Sequence, residues 1–263
     1  MLKKRLIGVV TVRRGWAVQS FGYRRWLPLG RPEVLVANLD RWGVDEILLQ
    51  CIDRAGAGPD MALLSRIGRI GLATPLLYGG GVASVEQATA VIKTAADRVV
   101  VDALLHDAPE TVRAISQHLG AQAVVGALPL THEGGALQWL DHRRGSQQPL
   151  HGAATTQAVA AAKALFTDGV VSEALLVDWR HEGIAGGFDV RLVDDSGLPG
   201  VPLIAFGGLS EAAQHRALLQ RPAVVATAVG NFLAYREHAV QALKAALAGL
   251  PMRGPEYAAD ATA

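Results

Sequence analysis

The chain has 263 residues, half of them hydrophobic and only 5% aromatic, which is enough to form one large domain with a sizeable core. A formal net charge of +1, without runs of like charge, excludes nucleic acid as the main partner. The single cysteine, Cys51, excludes an internal disulfide and a cysteine-cluster zinc site, and the lack of a long apolar run in the sequence predicts a cytoplasmic protein without a membrane segment.

The first predicted strand is the apolar run at residues 6–12, which is typical of a strand buried on both faces. Residues 15–30 carry aromatic and basic side chains without clear periodicity, and we interpret them as a long loop near the end of this strand. Such a loop can stack on a ligand, or its residues can simply be solvated over a barrel mouth. A helix then begins at Arg31–Pro32–Glu33 and ends near Trp42.

Strand, helix and loop alternate from there on. Seven further strands are predicted at residues 46–51, 75–78, 98–102, 122–128, 173–178, 202–206 and 223–227, and further helices at 85–94, 108–118, 156–167, 211–219 and 234–247. Residues 131–148 show little apolar pattern and are predicted to be a flexible loop. The pattern predicts a single (β/α)₈ TIM barrel over residues 1–250, followed by a short polar tail at 251–263 that we expect to fray.

The two halves of the chain repeat a motif. Residues 74–82 recur as residues 201–209, and each copy reads as an apolar strand that is entered through proline and ended by glycines. An offset of 127 positions relates Pro75 to Pro202 and also Glu46 to Glu173. An offset shared by separate strands indicates an internal half-barrel duplication, which favours a closed barrel over an open sheet.

The glycines that end the two copies are candidates for phosphate binding. Backbone N–H groups at a glycine turn, followed by a helix N-terminus, suit an anion, and two such sites would hold a substrate that is phosphorylated at both ends. The alternative is ordinary turn chemistry. The helices are predicted to begin at Ser84 and Ser210 as N-caps, and the candidate phosphate-binding residues are Gly79, Gly80, Gly81, Gly207 and Gly208.

Short motifs at residues 4–7, 43–46, 79–81, 96–99 and 206–208 together resemble the cyclase subunit of imidazole glycerol phosphate synthase, over nearly the whole chain. The resemblance implies a (β/α)₈ barrel with lyase activity that forms a heterodimer with a glutaminase subunit. The glutaminase docks at the amino-terminal face of the barrel. Its ammonia passes through the barrel to a doubly phosphorylated substrate at the other end.

Several positions depart from the family pattern. The family's two general acid/base aspartates correspond here to Thr11 and Pro129, neither of which can shuttle a proton at neutral pH. Asp53, Asp178 and Glu182 are the candidates to replace them. Asp189 is interpreted instead as a helix cap. Other changed positions are Cys51, Asp102, Ala103, Ala228 and residues 180–184, and the negative charge of Asp102 would repel a phosphate.

The opposite end of the barrel matches the family. Four residues at the starts of strands correspond to its ring of alternating charges around the ammonia entrance: Arg5, Glu46, Arg98 and Glu173, with arginine in place of lysine at position 98. Asp97 corresponds to a family residue that meets the glutaminase. The alternative is a ring of salt bridges with a structural role only. No metal site and no cofactor are predicted, because only His181–Glu182 resembles a ligand pair.

Three functions stay open at this point. The first is a cyclase-like subunit that accepts ammonia from a glutaminase for another amidation, such as that of a nucleotide-sugar or surface-polysaccharide precursor, with a third protein as the ligase. The second is the histidine-pathway cyclase itself, and the third is a non-catalytic scaffold for the glutaminase. Neighbouring genes for a second glutaminase and an adenylating ligase would favour the first, and a histidine operon without another cyclase would favour the second.

Overall fold

Parallel strands close into a barrel in the computed structural model, which describes residues 3–144, 148–234 and 238–257. The strands of this part of the chain are β1 (Arg5–Arg13), β2 (Trp16–Phe21), β3 (Arg25–Gly30), β4 (Glu46–Cys51), β5 (Leu76–Gly79), β6 (Arg98–Val101), β7 (Val124–Glu133), β8 (Ala136–Trp139), β9 (Glu173–Asp178), β10 (Leu203–Phe206) and β11 (Val224–Val229). Eight of them, β1, β4 to β7 and β9 to β11, form the barrel, and β11 pairs with β1 to close it. The predicted (β/α)₈ barrel is confirmed.

Helices connect the barrel strands and cover them from outside. They are α1 (Pro32–Arg41), α2 (Met61–Gly68), α3 (Val85–Thr94), α4 (Leu104–Asp107), α5 (Pro109–Leu119), α6 (Ala153–Thr167), α7 (Arg191–Asp195), α8 (Ala212–Leu219) and α9 (Ala239–Ala246). The helix predicted at 234–247 begins later than expected, and residues 235–237 of that prediction lie outside the described residues. No helix of the described segments has the length and apolar character that crossing a membrane requires.

Residues 15–30 form a β-hairpin, so their prediction as an irregular loop is wrong. Strand β2 pairs antiparallel with β1, and β3 pairs with β2. Gly22 and Tyr23 have φ values of 60° and 53°, and the Arg24 N–H donates to the Phe21 carbonyl at 3.2 Å, as in a type I′ turn. The sequence signal was weak because tyrosine rarely adopts a positive φ.

The predicted flexible loop at 131–148 is also wrong over most of its described length. Strand β7 runs on to Glu133 and pairs antiparallel with β8 through a turn at Gly134 and Gly135, both with positive φ. Adjacent glycines are a known hairpin signal, but few apolar residues surround them. Residues 145–147 of this prediction lie outside the described residues.

Two apolar layers form the core. The larger layer lies between strands and helices, and the smaller one fills the barrel, because successive side chains of a strand point to opposite faces. On β1, for example, Ile7 and Val9 point inward, whereas Leu6 and Val10 pack outward. Each large aliphatic side chain that is fully buried in this way contributes about 1.5–3 kcal/mol.

The described part of the tail makes hydrogen bonds with the rest of the chain. The Pro251 carbonyl accepts the Lys4 N–H at 2.8 Å, Arg253 donates to the Val44 carbonyl at 2.6 Å, and Arg41 donates to the Tyr257 hydroxyl at 3.2 Å. These contacts hold the tail against the starts of β1 and β4, and residues 258–263 lie outside the described residues.

Candidate functional site

Four charged side chains meet at the amino-terminal end of the barrel, and we call them the charged ring: Arg5, Glu46, Arg98 and Glu173. Arg5 lies 2.7 Å from Glu46 Oε1 and 2.7 Å from Glu173 Oε1. Arg98 lies 2.8 Å from Glu173 Oε2 and 3.9 Å from Glu46 Oε1. Positive and negative groups therefore alternate around a closed circuit at the starts of β1, β4, β6 and β9.

The charged ring is largely withdrawn from water. The side chains of Glu46 and Arg98 are only 9% and 13% exposed. Burial raises the pKa of Glu46, and the two arginines oppose this rise. Arg98 is fixed further, because it donates to the Gln122 carbonyl at 3.0 Å and to the Ser172 hydroxyl at 2.9 Å. Breaking this ring leaves a buried charge without its partner.

Asp97, the predicted partner contact, lies next to the ring and is exposed. Its Oδ2 accepts the Leu76 N–H at 2.8 Å and so holds the start of β5. Asp45 makes the equivalent contact with the Leu6 N–H at 2.8 Å, but it is also paired with Lys244 at 2.7 Å. Asp97 thus combines a local structural contact with an exposed carboxylate.

The carboxyl-terminal end of the barrel holds the main cavity, with a volume of about 350 Å³. Apolar side chains of the inner layer separate it from the charged ring. Its lining residues come from the ends of β1 and β4 to β7 and from both hairpins: Arg13, Tyr23, Trp26, Gln50, Cys51, Ile52, Asp53, Gly79, Gly80, Gly81, Val82, Val100, Val101, Asp102, Ala127, Pro129, Leu140 and His142.

The first glycine turn opens on this cavity. Gly80 and Gly81 have φ values of 143° and 74°, and a Cβ at Gly80 would lie 2.5 Å from the Cys51 carbonyl oxygen. Only glycine fits this close approach to the neighbouring loop. Helix α3 begins just after the turn, and the predicted N-cap Ser84 accepts the Gln87 N–H at 3.3 Å.

The second glycine turn is closed. Gly207 and Gly208 also have positive φ, but Gly208 adjoins a void of only about 10 Å³, which Phe206 and Ala228 also line. Ser210 does not cap α8 as predicted, because the N-cap is Glu211; the Ser210 hydroxyl instead accepts the Gly186 N–H at 3.0 Å. The two halves of the chain therefore offer unequal sites.

Thr11 and Pro129, the two positions that the resemblance matches to acid/base carboxylates, differ in their surroundings. Pro129 lines the main cavity, and its carbonyl accepts the Leu140 N–H at 2.8 Å. Thr11 is buried and is not part of the cavity wall. Arg13 follows it on the same face of β1, lines the cavity, and stacks over the Trp26 ring at 3.7 Å. The cavity wall next to Thr11 therefore carries the guanidinium of Arg13.

The three candidate replacement carboxylates are not brought together. Asp53 lines the main cavity and accepts the Arg14 N–H at 2.6 Å. Asp178 is fully buried outside the cavity, where it accepts from Thr131 at 3.0 Å and contacts His181 Nδ1 at 2.7 Å. Among the described residues no group of three or more histidine, cysteine, aspartate or glutamate side chains is placed to bind a metal ion.

Glu182 lies beside the small void rather than in the main cavity. Burial raises its pKa to about 7, although Ser20, Tyr23 and Gly22 partly oppose the rise, and its Oε2 is buried without a hydrogen-bond partner among the described residues. Asp189, predicted as a cap, accepts the Arg191 N–H at 3.0 Å one residue before the N-cap position of α7.

Sequence reasoning missed His142. Its Nδ1 lies 2.9 Å from Asp102 Oδ2, and both residues line the main cavity. Burial opposes the charge on each, but the pairing prevails: the pKa of Asp102 is lowered and the pKa of His142 is raised. The pair forms only because the β7–β8 hairpin leads back to the barrel mouth, and this hairpin was not predicted. Its glycine turn was the available signal.

Comparison with known proteins gives consistent matches. A family model described as "Histidine biosynthesis protein" matches residues 5–239. The imidazole glycerol phosphate synthase subunit HisF of Thermococcus gammatolerans is 30% identical over 258 residues, covering 96% of this chain and 99% of that protein. HisF of Myxococcus xanthus is 29% identical with the same coverage. A Vibrio vulnificus protein, provisionally named subunit hisF2 of this synthase, is 27% identical over 93% of this chain and 88% of its own length.

Proposed function

The chain belongs to the histidine biosynthesis protein family as a relative of the synthase cyclase subunits, and from this premise we propose that it accepts ammonia from a glutaminase partner for an amidation outside histidine synthesis. The observation that carries the proposal is the contrast between its two ends. The charged ring is complete, whereas Thr11 and Pro129 stand where the family resemblance leads us to expect the two acid/base carboxylates.

The charged ring supports ammonia entry for an energetic reason. Buried ion pairs cost desolvation and are often no better for stability than apolar side chains of the same size, so four of them at the barrel entrance suggest a role beyond stability. The inner layer beyond the ring is apolar. Neutral ammonia can cross such a layer, whereas an isolated ammonium ion would pay a large desolvation cost.

The cavity supports a substrate other than the histidine precursor. A doubly phosphorylated substrate needs an anion site in each half, but only the Gly79–Gly81 turn opens on a cavity of ligand size. Arg13 at the same cavity is suited to one anionic group. We therefore propose a substrate that is not held by phosphate groups at both ends, such as a nucleotide-sugar or surface-polysaccharide precursor that a separate ligase activates.

Copurification tests this function directly. The tagged chain is expressed in its source organism, the bound proteins are identified, and the glutaminase activity of the complex is measured with and without the chain. We expect a glutaminase distinct from the one used in histidine synthesis, together with a ligase, and faster glutamine hydrolysis in the complex. A glutaminase bound without any change in rate would favour the scaffold, and capture of only histidine-pathway proteins would contradict the proposal.

A further inference from the structure

The main cavity contains a histidine–carboxylate pair at positions to which the family resemblance assigns no acid or base. We propose that His142 is the acid–base residue of this cavity and that Asp102 is its positioning residue. The inference rests on the proposed amidation and names the group that replaces the lost carboxylates. Its starting point is the 2.9 Å contact between His142 Nδ1 and Asp102 Oδ2 inside the cavity wall.

The β7–β8 hairpin holds His142 in place. The Leu140 N–H donates to the Pro129 carbonyl at 2.8 Å, which ties the segment after β8 to the end of β7. Asp141 is 3% exposed; it accepts the Arg143 N–H at 3.1 Å and binds the Arg143 guanidinium at 2.8 and 2.7 Å. His142 therefore begins a short 3₁₀ helix beside the strand end where Pro129 stands in place of a carboxylate.

Asp102 fixes the imidazole. Its Oδ1 accepts the Ala103 N–H at 2.6 Å, so the carboxylate itself is anchored. With Oδ2 facing Nδ1, the proton of a neutral His142 lies on Nδ1, and Nε2 carries the free lone pair. In the described segments no residue hydrogen-bonds Nε2. A histidine oriented in this way by a carboxylate is the arrangement that enzymes use for general acid–base catalysis.

The other titratable groups of the cavity are less suited to exchange a proton near neutral pH. Burial raises the pKa of the Cys51 thiol to about 12. Burial and Glu182 raise the pKa of Tyr23 well above its ordinary value. The Arg13 guanidinium donates hydrogen bonds and has no acceptor atom. Asp53 is already engaged with the Arg14 N–H at 2.6 Å.

The step that His142 serves is attack by ammonia on an activated acyl group, the product of the ligase. A C–N bond forms, the carbonyl π electrons move to the acyl oxygen, and the nitrogen becomes positively charged. Nε2 of His142 takes one proton from this nitrogen. The carbonyl then re-forms, the bond to the phosphate leaving group breaks, and the departing anion takes the proton from His142. The products are an amide and a protonated phosphate compound, with no other reactant.

The test uses a soluble extract of source cells that lack the gene for this chain, because the extract supplies the glutaminase, ligase and substrate. The extract receives ATP, amide-¹⁵N-glutamine and the purified chain, and ¹⁵N-labelled products are measured by mass spectrometry. We expect a labelled amide with the wild type, a loss of about 10²-fold or more in its initial rate with His142→Gln, and a smaller loss with Asp102→Asn. His118→Gln, at an exposed position on α5, serves as the matched control and leaves the rate unchanged.

The dependence of the reaction rate on pH distinguishes a positioning role of Asp102 from a structural role. Asp102 and Asp141 raise the pKa of His142 against burial and Arg143. The other titratable groups that line the cavity are Arg13, Tyr23, Cys51 and Asp53. The wild-type rate rises with pH as His142 loses its proton, and Asp102→Asn moves this rise to lower pH because it removes a carboxylate that favours the imidazolium.

Two results overturn the inference. If folded His142→Gln makes the amide as fast as the wild type, His142 is not the acid–base residue, although the proposed amidation stands. If the wild type restores no labelled amide, the proposed function fails and the inference fails with it. An unchanged pH profile in Asp102→Asn overturns the positioning role alone.

Discussion

The two ends of the barrel differ in how their withdrawn glutamate side chains are paired. At the amino-terminal end, Glu46 and Glu173, with side chains 9% and 16% exposed, each contact two arginines within 4 Å. At the carboxyl-terminal end, Glu182 is 2% exposed, it pairs with no cation among the described residues, and its Oε2 has no hydrogen-bond partner there. The amino-terminal end therefore holds a ring of mutually paired charges. The carboxyl-terminal end holds separate polar groups around two cavities of unequal size.

This difference indicates which end of the barrel can change in sequence without disturbing the fold. Residues of the ring begin barrel strands, whose positions are set by the parallel pairing of the whole barrel. Residues of the main cavity come largely from strand ends and from two hairpins, which carry Tyr23 and Trp26 on one side and lead to His142 on the other. Loops at the carboxyl-terminal end of a barrel can be rebuilt without disturbing the frame.

The largest expected effect concerns the carboxyl-terminal end. The purified chain with ammonium is expected to make imidazole glycerol phosphate from the usual phosphoribosyl precursor at least ~10⁴-fold more slowly than an ordinary cyclase, because each missing carboxylate is worth about 10²–10⁴-fold. The measurement is product formation, with an authentic cyclase subunit as control. Rescue of a histidine auxotroph by this gene would contradict the expectation.

A double substitution sharpens the same comparison. Thr11→Asp with Pro129→Asp is expected to leave cyclase activity undetected, because Thr11 lies outside the cavity wall and the second glycine turn stays closed. Correct orientation of the substrate is itself a large part of the rate. The double variant is assayed beside the wild type after circular dichroism confirms folding. Recovery of cyclase activity would show that two carboxylates are sufficient to make this cavity a cyclase site.

The charged ring provides the next largest effect. Glu46→Ala and Arg98→Ala are expected to fold but to lose about 3 kcal/mol of stability, because each leaves a partly buried charge without its partner. The ratio of amidated product to hydrolysed glutamine is also expected to fall. Arg113→Ala is the matched control, since Arg113 pairs with Asp168 at 2.6 Å on the surface. If the ratio of amidated product to hydrolysed glutamine in Glu46→Ala and Arg98→Ala equals that of Arg113→Ala and the wild type, the ring has a structural role only.

Glu182 is expected to make stability depend on pH. Its pKa of about 7 in the folded chain exceeds that of an unfolded glutamate, so the folded state holds a proton that the unfolded state releases. Stability is therefore full at pH 4 and falls through about pH 7, by at most about 3 kcal/mol. Glu182→Gln is expected to flatten this profile in thermal unfolding between pH 4 and 8. Equal slopes for the two proteins would contradict the assignment.

The smallest expected effect lies at the proposed partner face. Asp97→Lys is expected to weaken glutaminase affinity roughly tenfold, about 1.4 kcal/mol, through charge repulsion, and more so at low salt. Asp97→Asn is the control, because an amide oxygen can still accept the Leu76 N–H while the charge is removed. Binding is measured at two salt concentrations. Equal affinities for wild type and Asp97→Lys would exclude this residue from the interface.

Sequence by itself determined the barrel, because apolar runs that alternate with helices predict parallel pairing and closure. The charged ring was expected from the family resemblance, since Arg5, Glu46, Arg98 and Glu173 match the family's charges at the starts of strands. Gly79 to Gly81 were predictable at the other end, because they follow a predicted strand and the carboxyl ends of parallel strands meet at one face of a barrel.

Only the tertiary structure decided which groups face the main cavity. The packing of the segment after β9 places Trp179 in the inner layer, and neither Trp179 nor the buried Asp178 lines the main cavity. His142 meets Asp102 across 40 residues only because the β7–β8 hairpin folds back to the barrel mouth. Pairing of this kind depends on non-local packing energy rather than on local propensity, which is why the acid–base pair was not predictable.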